Sequence, residues 1–166
     1  TTGYSTANFD TWPQLSRHIL LILMFIGGCA GSTAGGLKVS RVVMMIKNIK
    51  INLKKLIHPR AVGTVRFEGK AVESETLHGL GVYFGLYSVL LILTLLILAF
   101  DPIAYNIETN FSAAVSCFNN VGPGLGGVGP ALSYADYSPL SKLVLSFSML
   151  LGRLEIYPLI LIMFPS

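Results

Sequence analysis

NFSAAVSCFNNVGPG, Asn110 to Gly124, joins a short apolar segment to a glycine-bearing return. The apolar part, Asn110 to Phe118, is about half of what a helix needs to cross a hydrocarbon core. Before it runs LHGLGVYFGLYSVLLILTLLILAF, Leu77 to Phe100, which has no Asp, Glu, Lys or Arg. At ~1.5 Å per residue that run spans the ~30 Å core, and Asp101 and Pro102 end it. After it comes a second run of similar length, Leu140 to Phe164, which carries Arg153 and Glu155 inside. A span, a half-length helix that re-enters, a glycine-rich return and a second span make a pore-loop module.

Composition supports a membrane setting. The 166 residues are 52% hydrophobic and only 12% charged, where a soluble domain is nearer ~25% charged. The charges are too few to cover a globular surface, and the length leaves room for a few spans and little else. Cys29 and Cys117 lie in or beside apolar stretches and suggest neither a disulfide framework nor a metal site. The chain opens directly in TTGYS, with neither Met nor a basic n-region, which reads as a trimmed chain or a piece of a longer polypeptide.

The module has a second copy. LSRHILLILMFIGG, Leu15 to Gly28, matches LSKLVLSFSMLLGR, Leu140 to Arg153, at an offset of 125. Leu15/Leu140, Ser16/Ser141, Leu20/Leu145, Met24/Met149 and Gly27/Gly152 are identical pairs, and Arg17/Lys142 and Ile19/Val144 are conservative. Upstream of each copy lies a glycine stretch, TTGYS and NVGPG. Gly3 and Gly122 are 119 apart, so the linker of the later copy is six residues longer. The first inward helix then differs from the second. It meets GGCAGSTAGGLK, Gly27 to Lys38, and resumes as VSRVVMMI, which predicts one span broken by a flexible loop. Irregular backbone at membrane depth is tolerated only where protein buries it or water reaches it.

Charge orients the chain. Between Lys38 and Thr76 stand nine basic residues, Lys38, Arg41, Lys47, Lys50, Lys54, Lys55, Arg60, Arg66 and Lys70, against Glu68, Glu73 and Glu75. This segment is predicted to be a cytoplasmic loop, which puts 1–16 and 101–138 outside. The basic stretch is a topology signal, and it is also a candidate surface for an acidic partner or anionic lipid. Phe67 is its one aromatic residue, so it is not a nucleic-acid patch.

The glycine stretches suit ion coordination. A dehydrated cation needs replacement oxygens, and backbone carbonyls supply them, as in the TVGYG loops of potassium channels. TTGYS follows that pattern with Thr2 for Val and Ser5 for the last Gly, and NVGPG departs further, with Pro123 for Tyr. Each stretch alone also reads as an ordinary turn. Their register with a helix repeat is what favours a filter, with carbonyls of Thr1, Thr2, Gly3, Tyr4 and of Asn119, Asn120, Val121, Gly122, Pro123 lining the path.

GCAGSTAGG is not a phosphate cradle, since Leu37 separates Gly36 from Lys38. It is not a nucleophile elbow either, since Ala30 and Ala34 flank Ser32 two residues away. A close-packing small-residue helix face stays open as an alternative. No nucleophile–base or metal constellation is visible, and His18, His58 and His78 are scattered, so no enzyme is predicted. Asn110-Phe111-Ser112 fits a glycosylation sequon, as a chance match would.

GGCAGSTAGGLKVSR, CFNNVGPGLGGVGP and GRLEIYPL resemble the Trk/Ktr/HKT potassium-transporter superfamily. CAGST, Cys29 to Thr33, places the resemblance nearest its TrkH/TrkG branch. The resemblance covers nearly all of the chain and implies an all-α membrane fold of four pore-loop repeats around a central ion path. Residues 1–76 correspond to the end of the third repeat, with filter, broken inner helix and basic cytoplasmic loop. Residues 77–166 correspond to the fourth, with outer helix, pore helix, filter and inner helix. It implies potassium uptake, by channel or symport, across a bacterial cytoplasmic (inner) membrane, with potassium as the transported ion and no cofactor. Gly3 and Gly122 fill the places that go with potassium selectivity. The implied partners are the N-terminal half of the same polypeptide, a second copy in a homodimer, a nucleotide-binding TrkA-like cytoplasmic subunit and the bilayer. A non-conducting membrane subunit and a sodium/potassium-permeable relative stay open beside this function.

The expected gate follows from the repeat. Arg153 aligns with Gly28, so it belongs level with Gly27, Gly28, Cys29, Ala30, Gly31, Ser32, Thr33, Ala34, Gly35 and Gly36. A charge at mid-span is costly and faces protein or a water-filled path. Arg153 is predicted to donate to the loop's freed carbonyls and to repel cations. The competing reading makes it a strut paired with an acid from elsewhere in the polypeptide.

Overall fold

The computed structural model describes residues 3–29, 31–32, 35–58, 63–67, 69–103 and 105–154. Thr1, Thr2, Ala30, Thr33, Ala34 and the stretch 155–166, with Glu155 and the end of the second predicted span, lie outside the described residues. The described part is mostly helical: α1 (Gln14–Ile26), α2 (Val39–Ile57), α3 (Ser74–Ala99), α4 (Ile107–Phe118) and α5 (Pro139–Leu154). Arg66–Phe67 (β1) and Lys70–Ala71 (β2) add a short antiparallel hairpin, with Arg66 opposite Ala71.

α3 is the one described helix long and apolar enough to cross a membrane. Glu75 in its first turn complements the helix dipole, and Pro102, lacking an N–H, follows its end. Its composition is apolar all round, but packing selects a single stripe. Tyr83, Tyr87, Leu91, Thr94 and Leu98, three or four residues apart, are buried. Val82, Val89, Ile92 and Leu96 on the other faces are about half exposed or more, a surface suited to lipid or to further protein.

α4 is the centre of the fold. Thr109, Asn110 and every residue from Ser112 to Phe118 are buried, and α5, α3 and α1 pack around it. It begins at Ile107, three residues before the predicted start, because Glu108 extends the first turn, where its charge favours the dipole. Even so, its length is only ~18 Å.

The repeat is visible as elements. Phe9–Thr11 and Tyr134–Asp136 are both single 3-10 turns. Each is capped from the preceding residue, Asn8 Oδ1 accepting from Asp10 N at 3.1 Å and Ser133 Oγ from Ala135 N at 3.3 Å. α1 and α5 then start 125 residues apart, like the two turns. The six extra residues of the later copy lie upstream, where Gly126–Val128 forms a further 3-10 turn.

The basic segment departs from the predicted loop. Lys47, Lys50, Lys54 and Lys55 all belong to α2, which runs 19 residues. Its lysines, leucines and methionines are good helix formers, and Lys54 and Lys55 in its last turn favour the dipole. Lys47 Nζ also donates to the Arg66 carbonyl at 2.9 Å, tying the hairpin to the helix.

Just beyond α3, Asp101 anchors the start of α5. Its carboxylate accepts from the N–H groups of Ser138 at 3.0 Å and Ile103 at 3.1 Å. Burial pushes its carboxyl up, but hydrogen bonds from Ser141, Ile103 and Ser138 outweigh this and hold it at about 2.

Candidate functional site

The two glycine stretches, far apart in sequence, meet. Gly3 (φ +79°) and Gly122 (φ +116°) are both in the left-handed region, and they stand back to back. A Cβ on Gly122 would lie 3.0 Å from the Gly3 Cα, and one on Gly3 would lie 3.6 Å from the Val121 carbonyl oxygen. Both residues need glycine for conformation, and Gly122 also needs it for space. Gly3, Tyr4, Val121 and Pro123 border one open cavity of about 720 Å³, and Gly27, Gly28, Cys29 and Ser32 close part of its wall. Among the described residues no cluster of His, Cys, Asp or Glu is arranged to hold a metal.

Two of the predicted carbonyl ligands lie within hydrogen-bond distance of Ser116. The Gly122 oxygen accepts from Ser116 Oγ and from Tyr134 Oη, each at 2.9 Å. The Pro123 oxygen lies 3.1 Å from Ser116 Oγ. Both acceptor positions of the Gly122 oxygen are taken, which fastens the strand. The Gly122 N–H lies 3.1 Å from Ser116 Oγ as well, and Val121 N donates to the Ser116 carbonyl at 2.9 Å. Ser116 thus holds the strand from α4. Thr1 and Thr2 lie outside the described residues.

α1 ends where the glycines begin. Gly27 leaves the helix with φ +71° and its N–H donates to the Leu23 carbonyl. α2 begins at Val39, whose N–H bonds the Gly28 carbonyl at 3.0 Å. The far end of this connection is seated on the residues that follow α4. A Cβ on Gly36 (φ +83°) would fall on Asn119 Oδ1, and one on Gly35 would meet Asn120 Nδ2 and, at 3.1 Å, the Gly152 carbonyl. Leu37, next in the chain, is buried. Gly31, by contrast, has open space around it. The predicted loop is therefore tightly held at Gly35–Leu37.

Asn119 is fixed in turn. Its Nδ2 donates to the Val115 carbonyl at 3.0 Å and to Tyr87 Oη at 3.1 Å. Tyr83 Oη donates to the Gly36 carbonyl at 3.5 Å, and the Arg41 guanidinium sits 4.5 Å from the Tyr83 ring centre. Asn120, in the left-handed region at φ +53°, donates to the Met149 carbonyl at 3.2 Å. These side chains join α3, α4, α5 and the connection between α1 and α2 at one junction. Sequence reading missed Tyr83, Tyr87, Ser116 and Tyr134. The four-residue spacing of the two α3 tyrosines is the signal that singles out a face.

The structure places Arg153 at the end of α5, in its last turn. It is exposed, and among the described residues it makes no hydrogen bond to the connection. Its neighbour Gly152 does the packing instead. The α5 backbone comes so close to the end of α4 that a Cβ on Gly152 would overlap the Phe118 carbonyl oxygen and lie 2.8 Å from its carbon. Tyr83 donates to the Gly36 carbonyl, and Asn119 and Asn120 pack against Gly36 and Gly35. Replacing Gly152 with Ala forces a methyl group against the Phe118 backbone, which costs about 1–3 kcal/mol or more. The expected result is a lower melting temperature in detergent and less protein in the membrane. An unchanged melting temperature would show that α4 and α5 can part freely here.

Two further inter-copy contacts lie outside the cavity. Arg17 of α1 pairs with Glu108 at the start of α4. Asp10, in the turn before α1, accepts from Gly126 N at 2.9 Å.

Comparison with known proteins gives one consistent result. The family model described as "TrkH: Cation transport protein" matches residues 1–166. The chain is 39% identical over 168 residues to the Trk system potassium uptake protein TrkH of Vibrio parahaemolyticus, covering 100% of this chain and 33% of that one. It is 34% identical over 160 residues to the Trk system potassium uptake protein TrkG of Escherichia coli, covering 96% and 32%. The crystal structure of the potassium transporter TrkH from Vibrio parahaemolyticus superposes with a TM-score of 0.85 at 38% identity, covering 99% of this chain and 35% of that one. The chain thus spans about a third of the length of the relatives it matches.

Proposed function

This chain belongs to the TrkH family of cation transport proteins, and from that premise we propose that it forms part of a potassium uptake path across the bacterial cytoplasmic membrane. The observation that carries the proposal is the close approach of Gly3 and Gly122 beside a cavity bordered by Gly3, Tyr4, Val121 and Pro123. Two strands related by a repeat, each turned by a left-handed glycine, present backbone to a shared space. The remainder of a four-strand ring comes from the N-terminal part of the same polypeptide. Rubidium uptake by the whole polypeptide, in cells lacking their own potassium uptake, tests this. No uptake at normal membrane levels would leave a non-conducting subunit.

In this reading the carbonyls of Thr1 to Tyr4 and of Asn119 to Val121 replace the hydration shell of potassium. Gly122 and Pro123 serve by shaping and fastening the strand. α4 ends at Phe118, directly before the strand. Its C-terminal carbonyls carry roughly half a negative charge in effect, which favours a cation in the path and disfavours an anion. The connection from Gly27 to Gly36 is the gate below the filter. Its far end is seated on Asn119 and Asn120, and Gly31 has open space around it. Arg153, exposed beside Gly152, acts as a cation-repelling charge at the same level, not as the loop's hydrogen-bond donor.

The regulatory partner is a cytoplasmic nucleotide-binding subunit of the TrkA kind, and the transporter works as a homodimer. Lys47, Lys50 and Lys54 are exposed at helical spacing on one face of α2, with Lys55 beside them. This offers a rigid basic face for an acidic one. Reversing all four to Glu is expected to weaken copurification of the partner and to leave basal rubidium uptake intact. Undiminished copurification would remove α2 as the docking face.

A further inference from the structure

Asp10 borders none of the residues placed in the path or gate above, yet its carboxylate reaches across to the other repeat. Oδ1 accepts from Gly126 N at 2.9 Å, and a Cβ on Gly129 would overlap Oδ2. Gly126 to Gly129 is the turn made by the six residues that the first copy lacks. The other polar contacts of this return come from its own repeat. Leu125 N bonds Ser112 Oγ at 2.8 Å, Gly127 N bonds Thr109 Oγ1 at 3.2 Å, and Gly124 N bonds the Val128 carbonyl at 2.8 Å. Among the described residues, the one side chain from the first copy that hydrogen-bonds this return is Asp10. The position equivalent to Asp10 in the later copy is Ala135, which has no side chain to do the same.

We propose that Asp10 is a positioning residue for the filter, clasping the return after Gly122 so that the two glycine strands keep their close approach. The inference rests on the reading of these strands as a filter. Gly3 lies seven residues before Asp10, and Gly122 four before Gly126. The clasp and the glycine contact therefore close a small ring of backbone between the two repeats. Ser116 and Tyr134 hold the strand on its α4 side. Asp10 holds it from the facing repeat. A carboxylate suits this place because one oxygen meets an N–H while the other fills the space that a side chain at 129 would occupy.

The test compares rubidium and sodium uptake by the whole polypeptide carrying Asp10→Ala, Asp10→Asn, or the pair Asp10→Cys with Gly129→Cys, with Gly122→Ser run in parallel. Asp10→Ala is expected to lower the rubidium-over-sodium preference by roughly fivefold, the weight of about one net hydrogen bond. Asp10→Asn keeps an acceptor oxygen and should keep the preference. The cysteine pair should lose preference when reduced and regain it when oxidised, since a disulfide holds the two turns at close spacing without any carboxylate. Equal loss of uptake in Asp10→Ala and Asp10→Asn with unchanged preference would overturn the clasp in favour of a simple attracting charge. An unchanged preference in Asp10→Ala while Gly122→Ser alters it would overturn the clasp and keep the filter. If Gly122→Ser also leaves preference intact, the filter reading fails and the clasp falls with it. If Asp10→Ala does not reach the membrane, the cysteine pair decides, and a preference insensitive to reduction overturns the proposal.

Discussion

Gly122→Ser is expected to remove most of the preference for potassium over sodium. Gly122 has φ +116°, a conformation L residues rarely adopt, and its missing Cβ would stand 3.0 Å from the Gly3 Cα. The neighbour is backbone of the opposite strand, not the tip of a side chain that could swing away. Left-handed backbone costs a residue with a Cβ about 1–2 kcal/mol. An energy of that size corresponds to a factor of roughly 5–30 in an equilibrium. The strand can relieve the strain only by turning its peptides or by moving off Gly3, and in the proposed filter either change shifts the coordinating carbonyls. Ser116 and Tyr134 are bonded to the Gly122 oxygen, so the turn would also break their contacts. Competition of sodium against rubidium uptake reads the effect. Intact preference with normal membrane levels would place the selective site elsewhere.

Shortening the connection within Gly31 to Gly35 is expected to raise basal flux strongly and leave ion preference as it was. The seat at Gly35–Leu37 holds one end of this segment, and Val39 N bonding the Gly28 carbonyl closes the other. A shorter connection cannot hang between these fixed ends. Gly36→Ala should act in the same direction, since a Cβ there collides with Asn119 in a left-handed backbone position. Arg153→Ala should raise flux less, by removing charge and not contacts. Rubidium uptake without the regulatory partner measures all three. Unchanged basal flux throughout, at normal protein levels, would reject the gate. Altered selectivity in the shortened form would assign the connection to the filter.

The legible part of this molecule is what local chemistry dictates. An uninterrupted apolar run has to be a helix in lipid, so Leu77–Phe100 closely anticipates α3. Glycine pairs cannot continue a helix cheaply, so the end of α1 at Gly27 follows from Gly27-Gly28. The offset of 125 is written in residue identities, and the paired turns and helices repeat it. The basic segment was legible as charge but not as helix, because counting lysines says nothing about their backbone. Family membership was legible in three short motifs.

Sequence by itself therefore determined the helical membrane character, the family, the repeat and the glycine positions, because each depends on a residue's own propensity or on its near neighbours. Only the tertiary structure decided which groups touch. Gly3 and Gly122 are 119 residues apart, and nothing local brings them to contact. The orientation of the Gly122 carbonyl depends on Ser116 and Tyr134. The partner of Asp10 depends on an inserted turn in the other repeat. Arg153 shows the limit most plainly: alignment put it at the level of the connection, and Gly152 does pack there, but a repeat relation fixes depth and not direction. Side-chain direction is set by helix rotation against its neighbours, and on α5 the close approach to Phe118 admits only Gly152, leaving Arg153 exposed on another face.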